Sequence, residues 1–147
     1  MSVSRPIIVR VLGKAIVPIV FVIGAHVAFG GASDIGGGLA GGVLAAAALV
    51  LYGLVFGIDA ARRAAPTAVL RLAAALGFLA LIGFGAASMM FGYPFLDFEA
   101  FAGAGPGAAR FGAAIVQAGT GLVVFCSFVL IFYAIAGRVA EIRAEEW

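Results

Sequence analysis

Four separate stretches of this 147-residue chain stay apolar for about twenty residues or more, at 7–29, 37–58, 69–91 and 111–137. Each is long enough to cross about 30 Å of hydrocarbon at about 1.5 Å per residue. Lipid offers the backbone no hydrogen bonds, so a spanning segment must satisfy its own N–H and C=O groups. That requirement makes the four runs helices, and the period-2 alternation of a membrane barrel is absent. The expected fold is therefore all-α, an integral membrane protein of four transmembrane helices forming a single domain over 1–147. Composition agrees. The chain is 65% hydrophobic and only 11% charged, against about 25% charged in soluble domains.

The first run needs a separate argument. Arg5, Arg10 and Lys14 precede AIVPIVFVI, and small residues stand before Ser33, a pattern shared with secretory leaders. Cleavage there would release three further membrane spans and no soluble domain, so the uncleaved helix is the expected state. Arg10 and Lys14 can extend to the headgroups from its opening turns, and Pro18 sits early in it or kinks it.

Charge sets the expected orientation. With alternating helices, eight of the nine Lys and Arg residues fall on one side: Arg5, Arg10, Lys14, Arg62, Arg63, Arg71, Arg138 and Arg143, with Arg110 alone opposite. The excess of cations on cytoplasmic loops then places both termini in the cytoplasm of a cell inner (plasma) membrane protein. Asp34, Asp97 and Glu99 face outward. A net charge of +2 scattered among apolar runs gives no nucleic-acid footprint.

The second run begins SDIGGGLAGGVLAAAALVLYG. Gly36, Gly37 and Gly38 allow a sharp turn, Gly38 and Gly42 stand four apart, and Gly37/Gly41 and Gly53/Gly57 repeat the spacing. Membrane helices gain little hydrophobic energy by touching one another, and small residues let their backbones approach. The expected role is a tight turn followed by packing faces, with an anion- or carbonyl-binding helix start as the sharper alternative. Away from their end turns the second, third and fourth runs carry no Asp, Glu, Lys, Arg or His. Their polar groups are Tyr52, Ser88, Gln117, Thr120, Cys126, Ser127 and Tyr133. None titrates near neutral pH, so no proton relay assembles from them. No nucleophile–base pair or metal-ligand spacing is present either, and neither an enzyme nor a cofactor is expected.

His26 is the one histidine in the chain, the residue type suited to proton exchange near neutrality. It is expected as an interfacial or helix-contact histidine bonded to a carbonyl, or alternatively as a station on a cation path with Asp34. Asp34 is otherwise a turn or N-cap residue, Gln117 a cross-helix hydrogen-bonding group, and Cys126 a small buried hydrophobe. The candidate ion-path or packing residues are thus His26, Asp34, Gly36, Gly37, Gly38, Gly42 and Gln117. The aromatic stretch FGYPFLDFEAF is expected at the headgroup level, with Pro94 ending the third helix.

These features resemble MrpB (MnhB) subunits of multisubunit Na⁺/H⁺ antiporters. That family shows a pattern like R-G-H-N-x-P-G-G-G-F, then G-L and an Ala-rich helix reaching L-Y. Gly31, Gly36, Gly37, Gly38, Gly42, Leu51 and Tyr52 fit it. Gly92 to Leu96 is similar to the family's G-x-P-F-L, and Gly119 to Gly121 to its G-x-G. Ala32 and Ser33 stand where the family has H-N, Ile35 where it has Pro, and Leu39 where it has Phe. His26 lies six residues before the matching position and is not the family's His. The resemblance implies an accessory subunit beside large complex-I-like antiporter subunits, docking by its glycine faces and helping to shape a cation route. The alternatives are the related module of a membrane-bound hydrogenase and a self-assembling homo-oligomeric pore or scaffold.

Overall fold

The computed structural model describes residues 5–30, 37–96 and 106–145. These residues are helical apart from short connections. The helices are α1 (Arg5–Gly30), α2 (Gly38–Phe56), α3 (Ile58–Ala64), α4 (Thr67–Met90) and α5 (Pro106–Glu145). Four of them contain segments long and apolar enough to cross a membrane, namely Val9–Phe29, Gly38–Phe56, Thr67–Met90 and Arg110–Arg138.

Local chemistry explains where these differ from the expected boundaries. The second span ends at Phe56 because Gly57 takes φ 95° and ψ 155°, a conformation that L side chains rarely adopt and glycine adopts freely. The short α3 follows, with Asp59 in its first turn and Arg62 and Arg63 in its last. That order of charge complements the helix dipole. The third span starts earlier than expected, at Thr67 directly after Pro66, and Arg71, inside the helix as in the expected run, is exposed. The same helix stops at Met90, before Pro94 is reached. Gly92 (φ 81°) turns the chain there, its N–H donating to the Met89 carbonyl at 3.0 Å. Pro18 is accommodated inside α1.

Across the bundle the order is α1, α2, α5, α4: α1 packs chiefly on α2, α2 on α5, and α5 on α4. The interior is built from small side chains. Ala46, Ala61, Cys126 and Val129 are fully buried, and Leu70 and Tyr133 complete their cluster. The exterior carries the bulk, including Leu54, Leu72, Leu79, Phe128 and Ile135. Large apolar groups outside and small ones inside are what a bundle solvated by hydrocarbon requires, because its helices associate by contact rather than by burying oily surface.

Candidate functional site

The most closely built part of the molecule is the seam between the start of α2 and the middle of α5. Gly37 caps α2 with φ 120°, and its N–H donates to the Val27 carbonyl at 3.3 Å, tying α2 back to α1. The Gly38 N–H, one of the unpaired donors at a helix start, donates to Gln117 Oε1 at 2.5 Å. One turn on, the α2 and α5 backbones touch. A Cβ at Gly38 would run into the Gln117 carbonyl, one at Gly42 would sit 2.5 Å from the Gly121 carbonyl oxygen, and one at Gly121 2.9 Å from that of Gly38. Only glycine allows this approach.

The opposite face of α2 is packed in the same manner against α1. A Cβ at Gly24 would lie 2.6 Å from the Ala45 nitrogen, and one at Gly41 would strike the Ala28 backbone. Gly41 and Gly42 are neighbours in sequence, and each serves a different seam. The expectation that these glycine faces are offered to other subunits is therefore corrected. Gly38, Gly41 and Gly42 are buried against helices of their own chain.

The structure brings Gly37, Gly38, Gly42 and Gln117 together and leaves His26 apart. His26 is exposed on α1, away from the Gly24 and Ala28 side that meets α2, and makes no hydrogen bond to a described residue. The expected carbonyl partner is thus not found among the described residues. Asp34 and Gly36 lie outside them, and the N-cap position is held by Gly37, not Asp34. Among the described residues no group of three or more His, Cys, Asp or Glu could hold a metal ion.

Two further features were not legible in the sequence. Ser88, fully buried, organises the turn after α4. Its hydroxyl lies 2.8 Å from the Gly85 carbonyl and 3.1 Å from that of Pro94 as donor, and accepts the Leu96 N–H at 3.2 Å. Phe95 folds back against Gly85, and Leu96 is held at φ 63°. A serine a few residues before a Gly-x-Pro turn is the only sequence signal. Ser88→Ala is expected to free the Leu96 amide, loosening the turn by about 1–2 kcal/mol, the cost of stranding a buried donor. Hydrogen exchange at Leu96 should accelerate about tenfold, the rate equivalent of about 1.4 kcal/mol; unchanged exchange would show that the hydroxyl does not hold the turn. At the opposite end of the bundle, the Arg62 guanidinium lies 5.8 Å from the centre of the Tyr133 ring, and Nη2 donates to the Tyr133 carbonyl at 3.4 Å.

Together these features define a class: a multi-pass helical membrane protein whose backbone-to-backbone seams are internal and whose outer surface is large and apolar. The chain belongs to the MnhB family of antiporter subunits; the family described as "Domain related to MnhB subunit of Na+/H+ antiporter" matches residues 8–141. No curated protein and no solved structure matches it.

Proposed function

We propose that this chain is an accessory subunit of a multisubunit monovalent cation (Na⁺)/proton antiporter in the cell inner (plasma) membrane. It acts as one domain, with both termini cytoplasmic, beside larger complex-I-like subunits that carry the ionisable proton path. The observation that carries the reading is the family match over residues 8–141, joined to spans whose charged residues, such as Arg10, Lys14 and Arg71, stand toward the ends and are exposed. Transport by protonation relays needs ionisable groups facing a bundle interior, and among the described residues no Asp, Glu, Lys, Arg or His is buried. The subunit's contribution is therefore to pack and to shape the neighbouring route. The contact surface is the bulky exterior, such as Leu72, Leu76 and Leu79 on α4, because the glycine faces are already occupied. The occupied glycines also remove the feature that favoured a homo-oligomeric pore.

Affinity purification of the tagged chain from its native membrane in mild detergent tests this. Large polytopic subunits are expected to copurify at fixed ratio and to be lost when Leu76 and Leu79 are both replaced by Ala, a change that keeps the span apolar. Recovery of the chain alone, or with hydrogenase subunits, would overturn the antiporter assignment.

A further inference from the structure

The hydroxyl of Tyr133 is buried in the core and has no hydrogen-bond partner among the described residues. Burial strips a hydroxyl of its water. Without a replacement partner, that loss weighs against the buried state by a factor of about 5–150. A trapped water is a poor substitute at this place, since it needs about two to four polar neighbours. The buried residues clustered with Tyr133 are Ala46, Ala61, Leu70, Cys126 and Val129. Their side chains offer one weakly bonding thiol. The hydroxyl therefore gains most from movement of a wall that lets outside water reach it.

Of these walls α3 is the least firmly attached. It is 7 residues long, and Ala61 is its one fully buried side chain. The chain doubles back at Gly57, so that the Ala61 Cβ lies 3.4 Å from where a Cβ at Gly53 of α2 would stand. Gly57 supplies the positive φ of 95° for that reversal, and nothing lies within 4 Å of where its own Cβ would be. The hinge is thus unpacked. Two contacts of Arg62 latch α3 to α5. Nη2 donates to the Tyr133 carbonyl at 3.4 Å, beyond the usual range for such a bond, and the guanidinium stands 5.8 Å from the centre of the Tyr133 ring, near the limit of cation–π attraction.

We propose that α3 is a hinged strap over Tyr133. Closed, it covers the core with Ala61 and Arg62. Open, it swings on Gly57 and admits water to the Tyr133 hydroxyl. The stranded hydroxyl offsets much of what the Ala61 methyl and the Arg62 contacts contribute to closure. The two states are therefore close in free energy, and α3 opens without the rest of the bundle. Asp59, Arg62 and Arg63 are exposed on the strap, so opening also moves these charges relative to the end of the bundle.

This inference does not depend on the antiporter reading. The test is hydrogen exchange of the full chain in phospholipid nanodiscs, read by mass spectrometry. In the parent chain the amides of residues 61–65 are expected to exchange faster than those of residues 126–129 in α5. Tyr133→Phe keeps the ring and the carbonyl that Arg62 touches and removes only the hydroxyl. It should slow exchange at 61–65 about tenfold, the opposite of what loss of a stabilising group does. Arg62→Gln releases the latch and should speed exchange there about fivefold. Continued shielding of Cys126 from a membrane-permeable maleimide is expected in both variants, showing that the bundle is intact. Equal protection of 61–65 and 126–129 in the parent would mean that α3 opens only with the whole bundle. That result, unchanged or faster exchange in Tyr133→Phe, or unchanged exchange in Arg62→Gln would each overturn the proposal.

Discussion

Gly42→Leu is expected to part α2 from α5 while leaving insertion into the membrane intact. A Cβ at this position would meet the Gly121 carbonyl at 2.5 Å, and a backbone atom held in a helix cannot swing aside as a side-chain tip does. Over-packing costs about 1–3 kcal/mol where side chains can adjust, and a backbone clash belongs at about 3 kcal/mol or above. The chain carries its own reporter. Cys126 is fully buried in the core cluster with Ala46 of α2, so opening this seam exposes the thiol. A membrane-permeable maleimide should modify Cys126 roughly 100-fold faster in the variant, the equivalent of about 3 kcal/mol in the opening equilibrium. Gly83→Leu is the control, since a Cβ there meets nothing within 4 Å, and such a change is expected to stay within about 0.5 kcal/mol. Equal reactivity in the two variants would mean that the α2–α5 contact is not what encloses the core.

Gly24→Leu should act on the other seam. Its Cβ would stand 2.6 Å from the Ala45 nitrogen and 3.0 Å from the Gly41 carbonyl oxygen, so α1 must move off α2. A comparable loss of about 3 kcal/mol is expected, but Cys126 lies in the cluster drawn from α2, α3, α4 and α5 and should remain shielded. The contact can be read directly. A Cβ at Gly13 would be 3.5 Å from that of Val55, within the Cβ separation of about 3.5–4.5 Å that a disulfide takes. With Cys126 replaced by Ala, the pair Gly13→Cys and Val55→Cys should therefore oxidise readily in the parent chain and fail to do so when Gly24→Leu is added. Retained cross-linking would place α1 on α2 by contacts other than the Gly24–Ala45 approach.

The seams also bear on assembly. A subunit whose small-residue faces are used internally must meet its neighbours through bulky apolar surface. Loss of copurification on changing α2 glycines would thus report a disrupted subunit and not a lost docking site. If docking uses α4 as proposed, apolar substitutions at its exposed positions are the ones that separate docking from folding.

The amino-acid order alone determined that four helices of this chain can cross a membrane, because length and hydropathy are properties of each segment and lipid forbids unpaired backbone. It also marked Gly37, Gly38 and Gly42 as places of close approach, since small residues four apart share a helix face. It left open what each glycine meets. Gly41 and Gly42 look alike in sequence, yet one faces Ala28 and the other Gly121, a division set by how three helices surround one. Ser88 read as an isolated polar residue until the turn at Pro94 was folded onto it, whereas Gln117 was legible as a cross-helix hydrogen-bonding group and only its partner, the start of α2, was not. The cleft lined by Phe21, Ala45 and Phe125 depended on the same thing, since it exists only where α5 stands off from α1 across α2. Side-chain partners separated by many tens of residues are chosen by packing, and packing is decided by all the helices together.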